Sequence, residues 1–484
     1  MSTVEDIAST TVSELNSIMD AAVAAGDVFA RLSPTQRAEI LESIANALDA
    51  KSGELVPIAF TETHLPIARL ESEVKRTSFQ LRLMAKTIRS GSYLGAVINE
   101  PDASWPPGPR PDLRRVLASV GPVAVFTASN FPFAFSVLGG DTASALAAGC
   151  SVIVKAHSGH PRLSKATFDI ARASIVANGL PEAIISIIFG TESGRHLILD
   201  ERLQAAAFTG STNGGRTLFD LANSRPRPIP FYGELGSVNP VFVTRNAAKR
   251  RGNALWEGFV ESFTLGAGQF CTKPGIIFVP SDCGAVEAIA ERLIVKGHFA
   301  LLNERISTGF SDRIADLSAH PSVKVVVRSA LADEGVTPSL FTTDIASFVA
   351  GVDTLLDETF GPASLVVTYT SEEELLHVAS LFTGELTATL QAEKDDAIVP
   401  ELISLLQSRA GRLLWNNWPT GVAVTSAMQH GGPYPASTSS RDTSVGTSAI
   451  DRFLRPVTYQ NFPDDFLPPA LRQSNPWSVK QTHD

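Results

Sequence analysis

The sequence predicts an α/β protein: one parallel sheet with helices on both faces, followed by a second region of the same kind. Three observations carry this. From residue 116 short β-rich runs alternate with helix-like segments, which is how a parallel sheet reads. The alternation resumes from "KPGIIFVP" onward. The totals, 484 residues with 44% hydrophobic and 19% charged content, are those of a soluble globular chain with a large core. At roughly 150 residues per domain that length corresponds to about three domains.

Residues 10 to 60 read as helices. "SELNSIMDAAVAAGDVFARL" has apolar residues at helical spacing. "SPTQRAEILESIANALDA" opens on Ser33 as N-cap with Pro34 at the first helical position. A further helical run covers "ARLESEVKRTSFQLRLMAKTI". The Pro-rich "EPDASWPPGPRPDLRR" can be neither regular helix nor central strand and is expected to be an extended arm. The first set of strands is "VLASVGPVAVFTA", "CSVIVKA", "AIISIIFG", "QAAAFTG" and "PVFVT". The second includes "KPGIIFVP", "SVKVVV", "ASLVVTY" and "GRLLWNN". The tail from about 435 is broken by Ser, Thr and Pro, and "TSAIDRFLRPVTYQNFP" can supply a strand or arm.

The net charge of −10 disfavours a polyanionic partner, so no nucleic-acid binding is expected. Apolar stretches are interrupted by charge, as at Asp141, and no membrane span is expected. Cys150, Cys271 and Cys283 are too few for a disulfide framework; with no signal-peptide form at the start, a cytoplasmic setting is expected.

Several strand ends carry polar residues. "FTASNFPF" puts Asn130 after a strand, where its amide can donate to an oxyanion; it can equally be a turn former. "VIVKAHSGHP" puts Lys155 at a strand's carboxyl end, where ligands of open α/β sheets bind; a solvated lysine is the commoner case. "AAFTGSTNGGR" turns at Gly210 and Ser211 into a helix whose N-terminus suits a pyrophosphate, or is simply Ser-capped. It is not G-x-G-x-x-G. "FYGELGSVNP" holds Glu234 among apolar neighbours, where burial is expected to raise its pKa and make it a general base; otherwise it is a loop glutamate. "DETFGP" holds Glu358 and Phe360 at another turn. Cys271 sits in "FTLGAGQFCTKPG", a Gly-rich turn, although most free cysteines are buried and inert. No metal-ligating set is expected.

Singly these signals are weak, but their order is that of the aldehyde dehydrogenase superfamily, which the chain resembles over nearly its whole length. The phrases "ASNFPFAFSVLGGDTASALAAGC", "VIVKAHSGHP", "PRPDLRRVL", "HGGPYPAST" and "FLRPVTYQNFPDDFLPPALR" are similar to the branch of α-ketoglutaric semialdehyde (2,5-dioxovalerate) and NADP-linked fatty aldehyde dehydrogenases. The resemblance implies two Rossmann-like parallel-sheet domains plus a small β oligomerisation arm. The cofactor-binding domain would cover 1–100 and 116–235, the catalytic domain 236–434, and the arm and tail 101–115 and 435–484. Cys271 would be the nucleophile, Asn130 and the Cys271 N–H the oxyanion donors, and Glu234 the base that activates water. Thr127, Lys155, His157, Gly210, Ser211, Gly236, Glu358 and Phe360 would contact the cofactor. Ser158 stands where many relatives carry a glutamate that repels a 2′-phosphate, so NADP is the expected cofactor, with NAD as the alternative; Arg195 is a possible helper. Arg76, on a helix expected to flank the substrate channel, is the candidate for a substrate carboxylate. The implied reaction is oxidation of α-ketoglutaric semialdehyde to 2-oxoglutarate. The alternatives are an aliphatic aldehyde dehydrogenase, a CoA-acylating enzyme and a non-catalytic binding protein. A homodimer or homotetramer is implied.

Overall fold

The computed structural model describes residues 7–328, 331–332 and 335–483. Four helices, Val12–Ala30, Pro34–Ala50, Ser52–Thr63 and Ile67–Arg89, precede the first sheet. Ser33 caps the second of them. Its hydroxyl accepts from Gln36 N, the Gln36 side chain accepts from Ser33 N at 2.9 Å, and Pro34 occupies the first position. The long helix Ile67–Arg89 buries Leu70, Val74, Leu81 and Met84 along one stripe.

The first sheet is all parallel. Its order is Ile185–Ile188, Val152–Lys155, Val123–Phe126, Ala205–Thr209, Phe231–Glu234. Numbered along the chain this is 3-2-1-4-5, with the order reversing beside Val123–Phe126, where doubly wound sheets bind ligands. Its strands are buried on both faces, hence their near-continuous Val, Ile and Ala.

The second sheet has seven strands in the order Lys324–Val327, Ser339–Asp344, Ala363–Tyr369, Ile276–Pro280, Val241–Val243, Glu385–Gln391, Ala410–Trp415. Only the Lys324–Val327 edge runs antiparallel to its neighbour. Phe242, Phe278, Phe348 and Phe382 interlock beneath it.

A third, mixed sheet orders Leu454–Gln460, Leu113–Ser119, Ala96–Asn99, Gln481–His483. The Pro-rich segment differs from the extended arm expected of it. It is the loop of an antiparallel hairpin between Ala96–Asn99 and Leu113–Ser119, closed by an Asp102–Arg110 bridge. "VLASVGPVAVFTA" is likewise two strands in two sheets, broken where Gly121 adopts a positive φ of 126° ahead of Pro122. Among the described residues no helix is long and apolar enough to cross a membrane.

Candidate active site

Four strand ends of the first sheet, with the cysteine loop and the "ETFGP" turn of the second unit, carry the candidate residues. Glu234 is the last residue of Phe231–Glu234 and is 4% exposed. Cys271 lies in the loop between helix Arg245–Thr264 and strand Ile276–Pro280. That loop is shaped by three consecutive left-handed residues, Gly266, Ala267 and Gly268, at φ 57°, 60° and 64°. A Cβ at Gly268 would collide with the Gly361 carbonyl. The glycine therefore lets the cysteine loop lie directly on the "ETFGP" turn, which is why a thiol occurs in Gly-rich sequence. The loop is clamped from below: Asn239 Nδ2 donates to the carbonyls of Cys271 (2.8 Å) and Lys273 (3.0 Å). Lys273 Nζ donates to the carbonyls of Thr359 (2.7 Å) and Ala363 (2.8 Å).

His430 stands between the thiol and the carboxylate. Its Nε2 lies 3.5 Å from Cys271 Sγ and 3.0 Å from Glu234 Oε1. Ser444 Oγ donates to Glu234 Oε2 at 2.6 Å. Burial pushes the Glu234 carboxyl up, but His430, Ser444 and the Cys271 thiol together bring it below the ordinary carboxylate range. This corrects the raised pKa expected from apolar neighbours; the partners come from residues 430 and 444, far off in sequence. Cys271 behaves oppositely. Burial and the adjacent Glu234 charge raise it well above an ordinary thiol, with Arg76 opposing. The resting pair is therefore a thiol beside a carboxylate.

Asn130, four residues beyond its strand, is 9% exposed. Its Nδ2 donates to the Gln269 carbonyl at 3.0 Å, and a primary amide has a second N–H to offer. Two residues of helix Ile67–Arg89 hold this loop. Arg69 Nη2 donates to the Asn130 carbonyl at 2.7 Å. Glu73 Oε1 accepts from Phe133 N and Ala134 N at 2.8 and 3.0 Å. Arg76 lies 6.0 and 5.8 Å from the Phe131 and Phe135 ring centroids. Burial lowers its pKa, while the charges of Glu73, Cys271 and Glu234 oppose that effect. The guanidinium thus acts electrostatically on the thiol, and its Nε is buried without a hydrogen-bond partner.

The remaining predicted residues lie at the strand ends and turns of the first sheet and on the "ETFGP" turn. Lys155 ends its strand half-buried, its pKa lowered by burial and by Arg305. His157 is pushed down to about 3 by burial and neighbouring cations, so its ring is neutral; Nδ1 accepts from Gly159 N at 3.0 Å. Ser158 is exposed. Thr127 Oγ1 donates to the Lys155 carbonyl at 3.2 Å, and Gly210 N to the Glu234 carbonyl at 3.1 Å. Ser211 caps helix Thr212–Ser224. A Cβ on Gly236 would sit 2.7 Å from Glu358 Oε2 and 2.8 Å from Thr212 Oγ1, so glycine is needed for that approach. Phe360 packs against the core of the first unit. Arg195 makes an exposed ion pair with Glu192 at 3.2 Å.

This arrangement can deprotonate a thiol, hold an oxyanion beside it and activate water. The profile described as the aldehyde dehydrogenase family matches residues 1–296. The α-ketoglutaric semialdehyde dehydrogenase 2 of Azospirillum brasilense is 43% identical over 456 residues, covering 93% of this chain and 87% of its own. The chain belongs to the aldehyde dehydrogenase family. It is an oxidoreductase that acts on aldehydes with a nicotinamide cofactor, NAD or NADP. A second relative, the α-ketoglutaric semialdehyde dehydrogenase of Acinetobacter baylyi, is 42% identical over 475 residues, 96% of this chain and 90% of that one. Among solved structures, a 1-pyrroline-5-carboxylate dehydrogenase from Thermus with bound NAD superposes with a TM-score of 0.77 at 18% identity, covering 93% of this chain and 86% of that one; at that identity the fold is what is shared.

Sequence reasoning assigned no role to His430, Ser444, Arg69 or Arg305. His430 opens "HGGPYPAST", a phrase quoted above only for its resemblance. The other three carry no local sequence signal.

Proposed function

We propose that this aldehyde dehydrogenase oxidises α-ketoglutaric semialdehyde to 2-oxoglutarate, with NADP preferred. The observation that carries the reading is Arg76. A cation seated over the Phe131 and Phe135 rings, with its charge coupled to that of Cys271, suits an aldehyde with a carboxylate at its far end. The names of the two relatives above 40% identity agree.

In this reading residues 1–100 and 116–235, which hold the first sheet and its helices as well as third-sheet residues 96–99 and 116–119, form the cofactor-binding domain, and 236–434 form the catalytic unit. Residues 101–115 and 435–484 form an arm and tail that join copies into a homodimer or homotetramer. The tail also passes the site, since Ser444 contacts Glu234. Lys155 and Glu358 accept the riboses, Gly236 leaves them room, and Ser211 meets the pyrophosphate. Ser158 leaves no carboxylate to repel a 2′-phosphate; a like-charge clash at about 4 Å would cost roughly 4 kcal/mol at an effective dielectric near 20. Arg305 adds positive potential beside Lys155. The three free cysteines agree with a cytoplasmic setting.

The chemistry follows from the resting state. Glu234, directly or through His430, takes the proton of Cys271, and the thiolate adds to the aldehyde carbon. Asn130 and the Cys271 N–H hold the oxyanion. The bound nicotinamide supplies the hydride acceptor. The acyl group is left as a thioester on Cys271; once the thiol proton has passed to solvent, Glu234 takes a proton from the attacking water, and the Cys271 thiolate departs as the acid is released.

The test is a kcat/KM panel of α-ketoglutaric, succinic and glutaric semialdehydes and medium-chain aliphatic aldehydes, each with NAD and NADP. Arg76→Ala should raise KM for the carboxylated substrates roughly 10- to 100-fold, the loss of about 1.5–3 kcal/mol in a charged hydrogen bond, and leave an uncharged aldehyde of similar length nearly unchanged. Equal loss for both kinds would make Arg76 structural. A preference for aliphatic aldehydes would overturn the substrate assignment.

A further inference from the structure

The three groups that face one another at the site also make a cation receptor. We infer that Cys271 Sγ, His430 Nε2 and Glu234 form a binding site for a single zinc-class divalent cation, which closes the enzyme by occupying its thiol. The donor atoms all lie within 4.8 Å of one another. The two resolved separations are 3.5 Å for sulfur to nitrogen and 3.0 Å for nitrogen to oxygen. Tetrahedral zinc with Zn–S of about 2.3 Å and Zn–N or Zn–O of about 2.0–2.1 Å needs donors roughly 3.3–3.6 Å apart. The sulfur–nitrogen pair already fits, the nitrogen–oxygen pair opens by a few tenths of an ångström, and the carboxylate swings to bring its oxygen to the same distance from sulfur.

Donor chemistry selects the metal. A thiolate and an imidazole favour zinc over magnesium or calcium, which want all-oxygen shells. Three protein ligands leave a fourth position for water. The carboxylate is already oriented by Ser444 Oγ, as an outer-shell partner should be. Charge also closes: one thiolate, one carboxylate and one dication sum to zero. That matters in a buried site already bordered by Arg76 and Arg412 and by the Asp141–Arg452 pair at 2.8 Å. As the S–Zn bond forms, the thiol proton leaves to solvent and no electrons are exchanged. The sulfur lone pair that attacks an aldehyde is then committed to the metal. The ligands come from positions 234, 271 and 430, so no ligand spacing marks the site in the sequence.

The experiment uses the untagged full chain without aldehyde or cofactor, so its outcome does not depend on which aldehyde is physiological. Zinc is titrated against a chromophoric chelator. One zinc per chain is expected. Cys271→Ser and His430→Ala should each weaken binding more than about 100-fold, beyond what loss of an outer-shell partner typically costs. A Cys150→Ser/Cys283→Ser double variant should bind as the unaltered chain does. On that unaltered chain, zinc should block alkylation of Cys271 by iodoacetamide, and a chelator should restore it. Sub-stoichiometric binding, binding that survives in Cys271→Ser, or alkylation indifferent to zinc would each overturn the site.

Discussion

Cys271 and Glu234 are set to opposite protonation states by the same burial. The difference lies in partners. The carboxylate receives Ser444 and His430, whereas the thiol faces two carboxylates, Glu234 and Glu358. A lowered folded-state pKa keeps Glu234 ionised below the usual carboxylate range, so it remains a proton acceptor in mildly acidic solution. Glu234→Gln removes that acceptor while preserving shape, and His430 still contacts the thiol at 3.5 Å. The expected result is slowed release of the acid with the first turnover largely retained. Rapid mixing should then show a burst of about one reduced cofactor per site before a slow steady state. If burst and turnover fall together, Glu234 is indispensable to thiol activation, where His430 cannot replace it, or is structural.

At the scale of elements, the site is a product of strand ends. The first sheet delivers Lys155 and Glu234 at its carboxyl edge and the Asn130 and Ser211 loops just beyond it, while the second unit contributes the cysteine loop and the "ETFGP" turn. Glu358 on that turn is pushed up to about 7 by burial, with Lys273 pulling it down and Glu385 adding to the rise. A carboxylate accepts hydrogen bonds from both ribose hydroxyls, whereas a protonated acid accepts fewer. Cofactor affinity should therefore strengthen between pH 6 and pH 8 and lose this slope in Glu358→Gln. Fluorescence titration of NADPH across that range checks it; a slope that survives the substitution belongs to another group. The turn and strand-end residues were legible because each sits beside a short apolar run with a glycine or proline. The helix cap at Ser33 was legible for the same local reason. Missed features depend on distant chain. His430 is 159 residues from Cys271, and the strands Ser339–Asp344 and Glu385–Gln391 carry Thr and Glu whose burial only their neighbours in the sheet explain. The Pro-rich segment was read correctly as irregular, but the hairpin around it needs the register of residues 96–119.

For the whole molecule, the margin of the third sheet carries several exposed large aromatics. Phe466 is 76% exposed and Phe462 47%, both just beyond the edge strand Leu454–Gln460, and Trp105 at the hairpin loop is 46% exposed. Single exposed apolar residues are ordinary, but several large aromatics at the margin of one small sheet are what the proposed association surface would carry. Aromatic residues are also what protein interfaces enrich. The oligomer proposed above would bury them. Phe466 lies largely in solvent and Phe462 packs edge-on against Tyr459 at 5.3 Å, so replacing both with aspartate removes little of the core, and surface changes usually stay within about 0.5 kcal/mol. Light scattering of the unaltered chain should give two or four times the chain mass. Phe462→Asp/Phe466→Asp should shift it toward one chain with the far-ultraviolet circular dichroism unchanged. An unaltered mass in the variant would move the interface elsewhere, and a monomeric unaltered chain would remove the arm's assembly role.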